Sequence, residues 1–189
     1  MSKIFIIHGT GGNPKGNWFP WLKKELEKQS HTVFVPKFTT PEGQTIEKWM
    51  SEFKESTYYE LLDEDSIIIG HSLGPAFILS VLEKLAIPKP IKATFLVAGF
   101  ISPLGNEYFD KLNNSFINKK FNWAKIKKNC KKFYVINSDN DPYVPLSRGK
   151  ELAEELNTEL ITLRGAGHIN EESGYKKFEF LLEMINKVN

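Results

Sequence analysis

The stretch from residue 66 to residue 76, Ser-Ile-Ile-Ile-Gly-His-Ser-Leu-Gly-Pro-Ala, constrains the fold more than any other part of the sequence. Three isoleucines lead into Gly-His-Ser-Leu-Gly, and an apolar segment continues through Leu85. This pattern is typical of a buried strand, a sharp turn and a buried helix, with Ser72 at the apex. Gly70 and Gly74 stand two positions before and after the serine, where strand and helix approach so closely that a Cβ has almost no room.

This turn predicts an exposed nucleophile. Holding Ser72 in a strained backbone conformation costs roughly 1–3 kcal/mol. The strain exposes the hydroxyl and leaves the backbone N–H of Leu73 behind it, at the N-terminus of a helix. The alternative interpretation is an ordinary glycine-rich turn, but the strand before it and the helix after it favour the nucleophile.

Composition limits the classes of partner. The 189 residues fit one domain, residues 1–189, and 41% hydrophobic with 25% charged residues is ordinary for a globular protein. A net charge of +2 gives no reason to expect nucleic acid as a partner. The lysine-rich segment 119–132 is interpreted as a solvated amphipathic helix rather than an anion or membrane site. Oligomeric state stays open.

The sequence also predicts a soluble, cytoplasmic protein without a signal peptide or a transmembrane helix. The apolar run Ile4–Ile7 is too short for the core of a signal peptide, and no apolar run approaches 18 residues. Cys130 is the sole cysteine, which excludes an internal disulfide and a CxxC metal site. Its lysine-rich surroundings could activate the thiol, but an unremarkable surface cysteine is the favoured interpretation.

Strand-like and helix-like segments alternate along the whole chain. This alternation predicts an α/β protein, a three-layer α/β/α sandwich in which helices cover both faces of a mostly parallel six-stranded sheet. Thr45 is expected to cap the second helix, and Pro75 fits the first turn of the third. The predicted strands are nearly all-apolar runs at residues 4–7, 32–35, 66–69, 93–98, 133–136 and 159–163.

Three chemically active side chains follow different strands. Ser72 comes after the third, Asp139 and Asp141 after the fifth, and His168 after the sixth. Sheets of this kind bind ligands at the carboxyl ends of their strands, so these groups are expected to share one edge. The order Ser, Asp, His is that of the α/β-hydrolases.

Each residue type suits nucleophilic catalysis. Neutral imidazole can take the proton of a serine hydroxyl near pH 7, and a carboxylate fixes the imidazole tautomer. Ser72, His168 and Asp141 are assigned these roles. Asp141 is preferred over Asp139 because Pro142 stiffens its position, whereas Asp139 is expected to stabilise the turn.

The other histidines are less suitable as the base. His71 should point away from the hydroxyl of its chain neighbour, and His31 lies in a polar connection. His8 ends the first strand and is expected to shape the loop that follows it. That loop, residues 8–12, lacks G-x-G-x-x-G and G-K-[ST], so a phosphate site is disfavoured. The backbone N–H of Thr10 is instead predicted to pair with that of Leu73 in an oxyanion hole.

Residues 99–131 form the candidate cover of the site and are rich in aromatic side chains. Phe100 and Trp123 from this segment, together with His8, are predicted to border the substrate pocket. An aromatic wall for an apolar acyl or amine group is one interpretation. Simple packing of a short helical excursion is the other.

Several motifs resemble the small α/β-hydrolases of the family that contains the retinoblastoma-binding serine hydrolase and the YdeN-type proteins. The resemblance covers essentially the whole chain and implies a minimal α/β-hydrolase fold without a large cap, with the triad on Ser72, Asp141 and His168. Two departures are Leu73, where relatives often carry serine, and His8, where some carry proline. The motifs are the early glycine-rich loop, W-F-P-W-L-K-K-E-L-E-K at 18–28, I-I-I-G-H-S at 67–72, W-A-K-I-K-K-N-C at 123–130, Asp141-Pro142 and Gly167-His168.

The sequence thus predicts a serine hydrolase that cleaves small carboxylic esters or amides through an acyl-enzyme, with no metal and no organic cofactor. A second hypothesis keeps the fold and the triad but makes the protein a catalytically idle binding module. A flavodoxin-like nucleotide binder is a third, and the lack of phosphate motifs disfavours it.

Overall fold

The apolar runs of the sequence form the strands of one sheet in a computed structural model that describes residues 1–188. All neighbouring strands are parallel, in the order β2-β1-β3-β4-β5-β6. The strands are β1 (Lys3–Ile7), β2 (Thr32–Phe34), β3 (Ile67–His71), β4 (Ala93–Val97), β5 (Phe133–Ser138) and β6 (Leu160–Leu163). The helices are α1 (Phe19–Lys28), α2 (Ile46–Glu55), α3 (Gly74–Lys84), α4 (Glu107–Ile117), α5 (Trp123–Lys128), α6 (Leu146–Leu156) and α7 (Glu179–Asn186), with a 3-10 turn at Glu171–Ser173.

Helices cover both faces of the sheet, as the near-continuous apolar strands predicted. Alternate residues of β1 enter two separate apolar clusters because side chains alternate along a strand. Phe5 joins the cluster beneath α2, α3 and α6, whereas Ile4 joins the one beneath α1 and α7. The three-layer α/β/α sandwich is therefore confirmed.

The central strands are the most buried part of the sheet. Every residue of β3 and β4 is buried, whereas the edge strands β2 and β6 are partly exposed. The site-bearing turn after β3 thus leaves the middle of the sheet. Both central strands have a partner on each side, so their carboxyl ends are held by ladder hydrogen bonds on two sides.

Local signals predicted the helix starts well. The hydroxyl of Thr45 accepts a hydrogen bond from the backbone N–H of Lys48 at 3.1 Å, which makes it the N-cap of α2. Pro75 lies in the first turn of α3, where its missing N–H costs no helical bond. None of the helices in residues 1–188 has the length and apolar content that a membrane span requires.

Cys130 is a correction to the sequence analysis. It is buried, with 4% of its surface exposed, and the burial raises the pKa of its thiol to about 12. The chain around it forms a parallel bridge with Ile91, which turns the thiol inward while Lys131 and Lys132 remain exposed. An unreactive core cysteine replaces the expected surface thiol.

Candidate active site

Ser72 lies at the turn between β3 and α3 with φ of +60°, a backbone conformation that L-residues rarely adopt. The two glycines make this turn possible. A Cβ on Gly70 would lie 2.7 Å from the backbone nitrogen of Pro75, and one on Gly74 would lie 2.7 Å from the carbonyl oxygen of Ile7. The close approach of strand, turn and helix therefore fixes where the serine hydroxyl stands.

Asp141 and His168 form a tight pair although their loops are far apart in the chain. The Nδ1–H of His168 donates to Oδ2 of Asp141 at 2.7 Å. The other carboxylate oxygen accepts from the backbone N–H groups of Tyr143 at 2.8 Å and Val144 at 3.0 Å. The Asp141 side chain has no exposed surface and that of His168 is 9% exposed. In the neutral imidazole this arrangement favours the tautomer with its proton on Nδ1, which leaves the lone pair of Nε2 available as a base.

Asp139, the competing carboxylate, has a different position. Its Oδ1 accepts from the backbone N–H of Gly165 at 2.8 Å and its side chain is exposed. The bond ties the loop after β5 to the loop that carries His168. The structure brings Asp141, and not Asp139, to the imidazole.

His71 holds the backbone of His168, a role that sequence reasoning missed. Its Nε2–H donates to the carbonyl oxygen of His168 at 2.8 Å, and the two rings lie 4.8 Å apart. Burial, with a further contribution from the neighbouring His168, lowers the pKa of His71 to about 3. The ring is therefore neutral, and it positions the imidazole without taking part as a base.

The loop after β1 packs directly against the serine turn. A Cβ on Gly9 would lie 2.6 Å from Cβ of Ser72 and 3.0 Å from the backbone nitrogen of Leu73. The backbone N–H groups of Thr10 and Leu73 donate to no atom of residues 1–188. Leu73 is also the N-cap of α3, so its amide lies at the positive end of the helix dipole.

His8 and Trp123 do not border the cavity, contrary to expectation. His8 is fully buried, its Nδ1–H donates to the carbonyl of Gly9 at 2.9 Å, and its Nε2 accepts from the N–H of Phe38 at 3.2 Å. Burial lowers its pKa, so the neutral ring supports the loop from behind. Trp123 packs on Phe121, with ring centroids 5.2 Å apart, because the short helix α5 docks against α3 and α6.

Ser72 and His168 line one cavity of about 310 Å³. Phe100 borders it, together with other residues of the 99–131 segment, which therefore contributes to the wall of the cavity. No group of three or more histidine, cysteine or acidic side chains in residues 1–188 could hold a metal ion. The remaining lining side chains are Thr10, Asn17, His71, Leu104, Phe109, Asn113, Tyr143, Val144, Asn170 and Glu172.

Two known proteins are similar to this chain along nearly its whole length. The YdeN protein of Bacillus subtilis (strain 168), named as a hydrolase, is 30% identical over 183 residues, which are 97% of this chain and 94% of YdeN. The serine hydrolase RBBP9 of Rattus norvegicus is 27% identical over 188 residues, 97% of this chain and 96% of that protein. The expected resemblance to the YdeN and RBBP9 proteins is confirmed.

Solved structures support the fold. The crystal structure of the ydeN gene product from B. subtilis superposes with a TM-score of 0.92 at 28% identity, covering 100% of this chain and 98% of that one. Est1E from Butyrivibrio proteoclasticus, in a structure with bound ferulic acid, matches with a TM-score of 0.70 over 98% of this chain and 90% of its own, at 16% identity. The second likeness concerns the α/β-hydrolase fold alone.

The family model described as serine hydrolase matches residues 4–187, almost the whole chain. Together with the two relatives, this match shows that the protein is an enzyme with hydrolase activity. The chain belongs to the serine hydrolase family.

Proposed function

We propose that Ser72, His168 and Asp141 are a catalytic triad that cleaves small carboxylic esters or amides through an acyl-enzyme. The observation that carries this proposal is the 2.7 Å hydrogen bond from Nδ1 of His168 to the buried Asp141, at a cavity that Ser72 also lines. Since Asp141 holds the proton on Nδ1, the Nε2 lone pair is free to accept the serine proton.

Acylation begins when Oγ of Ser72 attacks the substrate carbonyl carbon and Nε2 of His168 takes the hydroxyl proton. The carbonyl π electrons move to oxygen, and a tetrahedral intermediate forms. Its collapse breaks the bond to the leaving group, which receives the proton from His168. Water then attacks the acyl-enzyme by the same route, releasing the carboxylic acid and restoring Ser72.

The oxyanion is stabilised by the backbone N–H groups of Thr10 and Leu73. Both are free of protein acceptors within residues 1–188, and Gly9 brings their two segments into contact. Donors that are already in position need no rearrangement when the charge develops. Removing one such donor typically lowers the rate on the order of 10²–10³-fold.

Cavity size and lining support a small substrate with an apolar acyl group. A volume of about 310 Å³ is at the lower end of ligand sites. Phe100, Leu104 and Phe109 supply an apolar wall. The reaction as written needs neither a metal ion nor an organic cofactor.

A fluorophosphonate probe tests the nucleophile directly. The wild-type protein should be labelled, and Ser72→Ala should lose the label and lower the turnover of p-nitrophenyl esters by roughly 10⁴–10⁶-fold. Ser51→Ala is the matched control because Ser51 is exposed on α2, and it should label like the wild type. Labelling that persists in Ser72→Ala contradicts the proposal. A folded wild-type protein with neither label nor turnover would instead support the idle binding module.

A further inference from the structure

A buried polar cluster joins the loop at residues 8–12, called the oxyanion loop below, to helix α4 of the segment 99–131 that covers the site. Oδ1 of Asn113 accepts from Oγ1 of Thr10 at 2.6 Å and from Nε2 of Gln44 at 2.8 Å. Asn113 is 2% exposed and Gln44 is 5% exposed. Such a cluster is costly to bury unless its polar groups find partners.

The cluster fixes which way the Asn113 amide faces. Nε2 of Gln44 also donates to the carbonyl oxygen of Leu112 at 3.1 Å, and Oε1 of Gln44 accepts from Oγ1 of Thr40 at 2.7 Å. The Gln44 nitrogen is therefore a donor toward Asn113, and the Asn113 atom that meets it must be the carbonyl oxygen. The two N–H bonds of Asn113 Nδ2 lie on the opposite side of the amide.

Nδ2 of Asn113 has no acceptor among the described residues 1–188. It is not sealed in the core, since the fully enclosed unpaired side-chain atoms of these residues are Oδ1 of Asn137 and Nε of Arg148. The open space beside Asn113 is the cavity that holds Ser72 and His168. Asn113 thus lines the site with its amide oxygen occupied and its two nitrogen donors unused.

We propose, on the basis of the function proposed above, that Asn113 is a specificity-determining residue whose Nδ2 donates to an oxygen on the acyl group of the substrate. This oxygen lies close to the scissile carbonyl, because Asn113 contacts the side chain of Thr10, whose own N–H is a proposed oxyanion donor. Phe109, one turn earlier on α4, borders the same cavity and packs against the apolar remainder of the acyl group. The preferred substrates are esters or amides of short alkoxy, hydroxy or keto acids.

Two p-nitrophenyl esters of equal size test the proposal. Methoxyacetate carries an ether oxygen where butyrate carries a methylene, so only the acceptor differs. After each kcat/KM is divided by the rate of hydroxide-catalysed hydrolysis, the wild type should prefer methoxyacetate by about 3- to 10-fold, the worth of one neutral hydrogen bond. A wild-type ratio of one overturns the proposal without any variant.

Asn113→Asp removes the donor and keeps the oxygen that accepts from Thr10 and Gln44, but it also adds a carboxylate charge. Comparing the two esters within this variant cancels the effect of that charge on the carbonyl chemistry that both esters share. The preference should fall to one or below in this variant. Thr40→Val is the matched control, since it disturbs the same cluster without touching Nδ2. It should change both esters by the same factor and keep the preference.

The outcomes separate the two proposals. A wild type that cleaves neither ester and takes no fluorophosphonate label contradicts the triad. A wild type that cleaves both equally, or a preference that persists in Asn113→Asp, contradicts the role of Asn113 alone. An equal loss on both esters in Asn113→Asp with an unchanged preference assigns the residue to positioning of the oxyanion loop, which also overturns the specificity role.

Discussion

The two walls of the cavity are held in place by different forces. On the base wall, formed by the loops after β5 and β6, hydrogen bonds hold the polar groups around His168. His168 is fixed at its ring by Asp141, at its carbonyl by His71 and at its N–H by Oγ of Ser173 at 3.1 Å. Further bonds join Gly167 to Asn140 and Ala166 to Ser138.

The nucleophile wall, formed by the serine turn and the loop at residues 8–12, is held by close backbone packing. Gly9 and Gly74 allow chain segments to meet at distances that a Cβ would forbid. The amides of Thr10 and Leu73 remain free of protein acceptors in residues 1–188. Under the proposed mechanism, the groups that orient the base are hydrogen-bonded, whereas the amides that would meet charge only in the transition state are placed by packing and left unpaired.

Among substitutions that leave Ser72 in place, Asp141→Asn should lower kcat most, because it disrupts the base wall. The Asn oxygen would keep the bonds from the N–H groups of Tyr143 and Val144, so its NH₂ would face Nδ1 of His168. That forces the imidazole proton onto Nε2, where it blocks removal of the serine proton. We expect kcat to fall about 10⁴-fold, measured with a p-nitrophenyl ester.

Asp139→Asn is the matched control for this change. Its carbonyl oxygen still accepts from the N–H of Gly165, so activity should stay close to that of the wild type. Equal losses in the two variants would contradict the assignment of Asp141 as the orienting carboxylate. Unchanged activity in Asp141→Asn would do the same.

Gly9→Ala should damage the nucleophile wall while leaving the base wall intact. The added methyl group would lie 2.6 Å from Cβ of Ser72, so the loop must retreat and carry the N–H of Thr10 with it. The rate should fall on the order of 10²–10³-fold through loss of an oxyanion donor. Overpacking should also reduce the unfolding free energy by about 1–3 kcal/mol.

Gly16→Ala serves as the comparison in the same loop region. A Cβ there meets nothing closer than 3.5 Å, so both kcat/KM and the thermal midpoint should be nearly unchanged. Assays on purified proteins at a temperature well below unfolding separate the loss of rate from the loss of stability. If Gly9→Ala keeps full activity, the oxyanion hole does not depend on this contact.

The two walls also differ in how far the sequence predicted them. The serine turn could be located because its signals are local: an apolar strand, glycines two residues either side of Ser72, and an apolar helix. The fold followed from the same kind of signal, since strand and helix runs alternate without a break. Asp141 was preferred over Asp139 on local grounds as well, through its proline neighbour.

The remaining features depend on chain segments that meet only after folding. The bond from His71 to the carbonyl of His168 joins residues 97 positions apart, and that from Thr10 to Asn113 joins residues 103 apart. The sequence around His71 or Thr10 contains no local pattern that predicts these distant partners. The same limit explains His8, whose imidazole meets the backbone of Phe38, and Cys130, which a bridge to Ile91 turns into the core.

The smallest expected effect concerns the buried histidine behind the base wall. Burial lowers the pKa of His71 from its ordinary 6.5 to about 3. Between these two pH values the residue is therefore protonated in the unfolded chain and neutral in the folded protein. The unfolding free energy must therefore fall as the pH drops from 6.5 towards 3, with a loss of about 2 kcal/mol from this residue between pH 7 and pH 5.

His71→Gln keeps an N–H for the carbonyl of His168 but cannot titrate. Urea unfolding at both pH values should show a shallower loss in the variant, with the portion due to His8, whose pKa is also lowered, still present. Parallel losses in the two proteins would mean that folding does not lower the pKa of His71, so that the ring behind the base wall would gain a charge in the folded protein as the pH falls through 6.5.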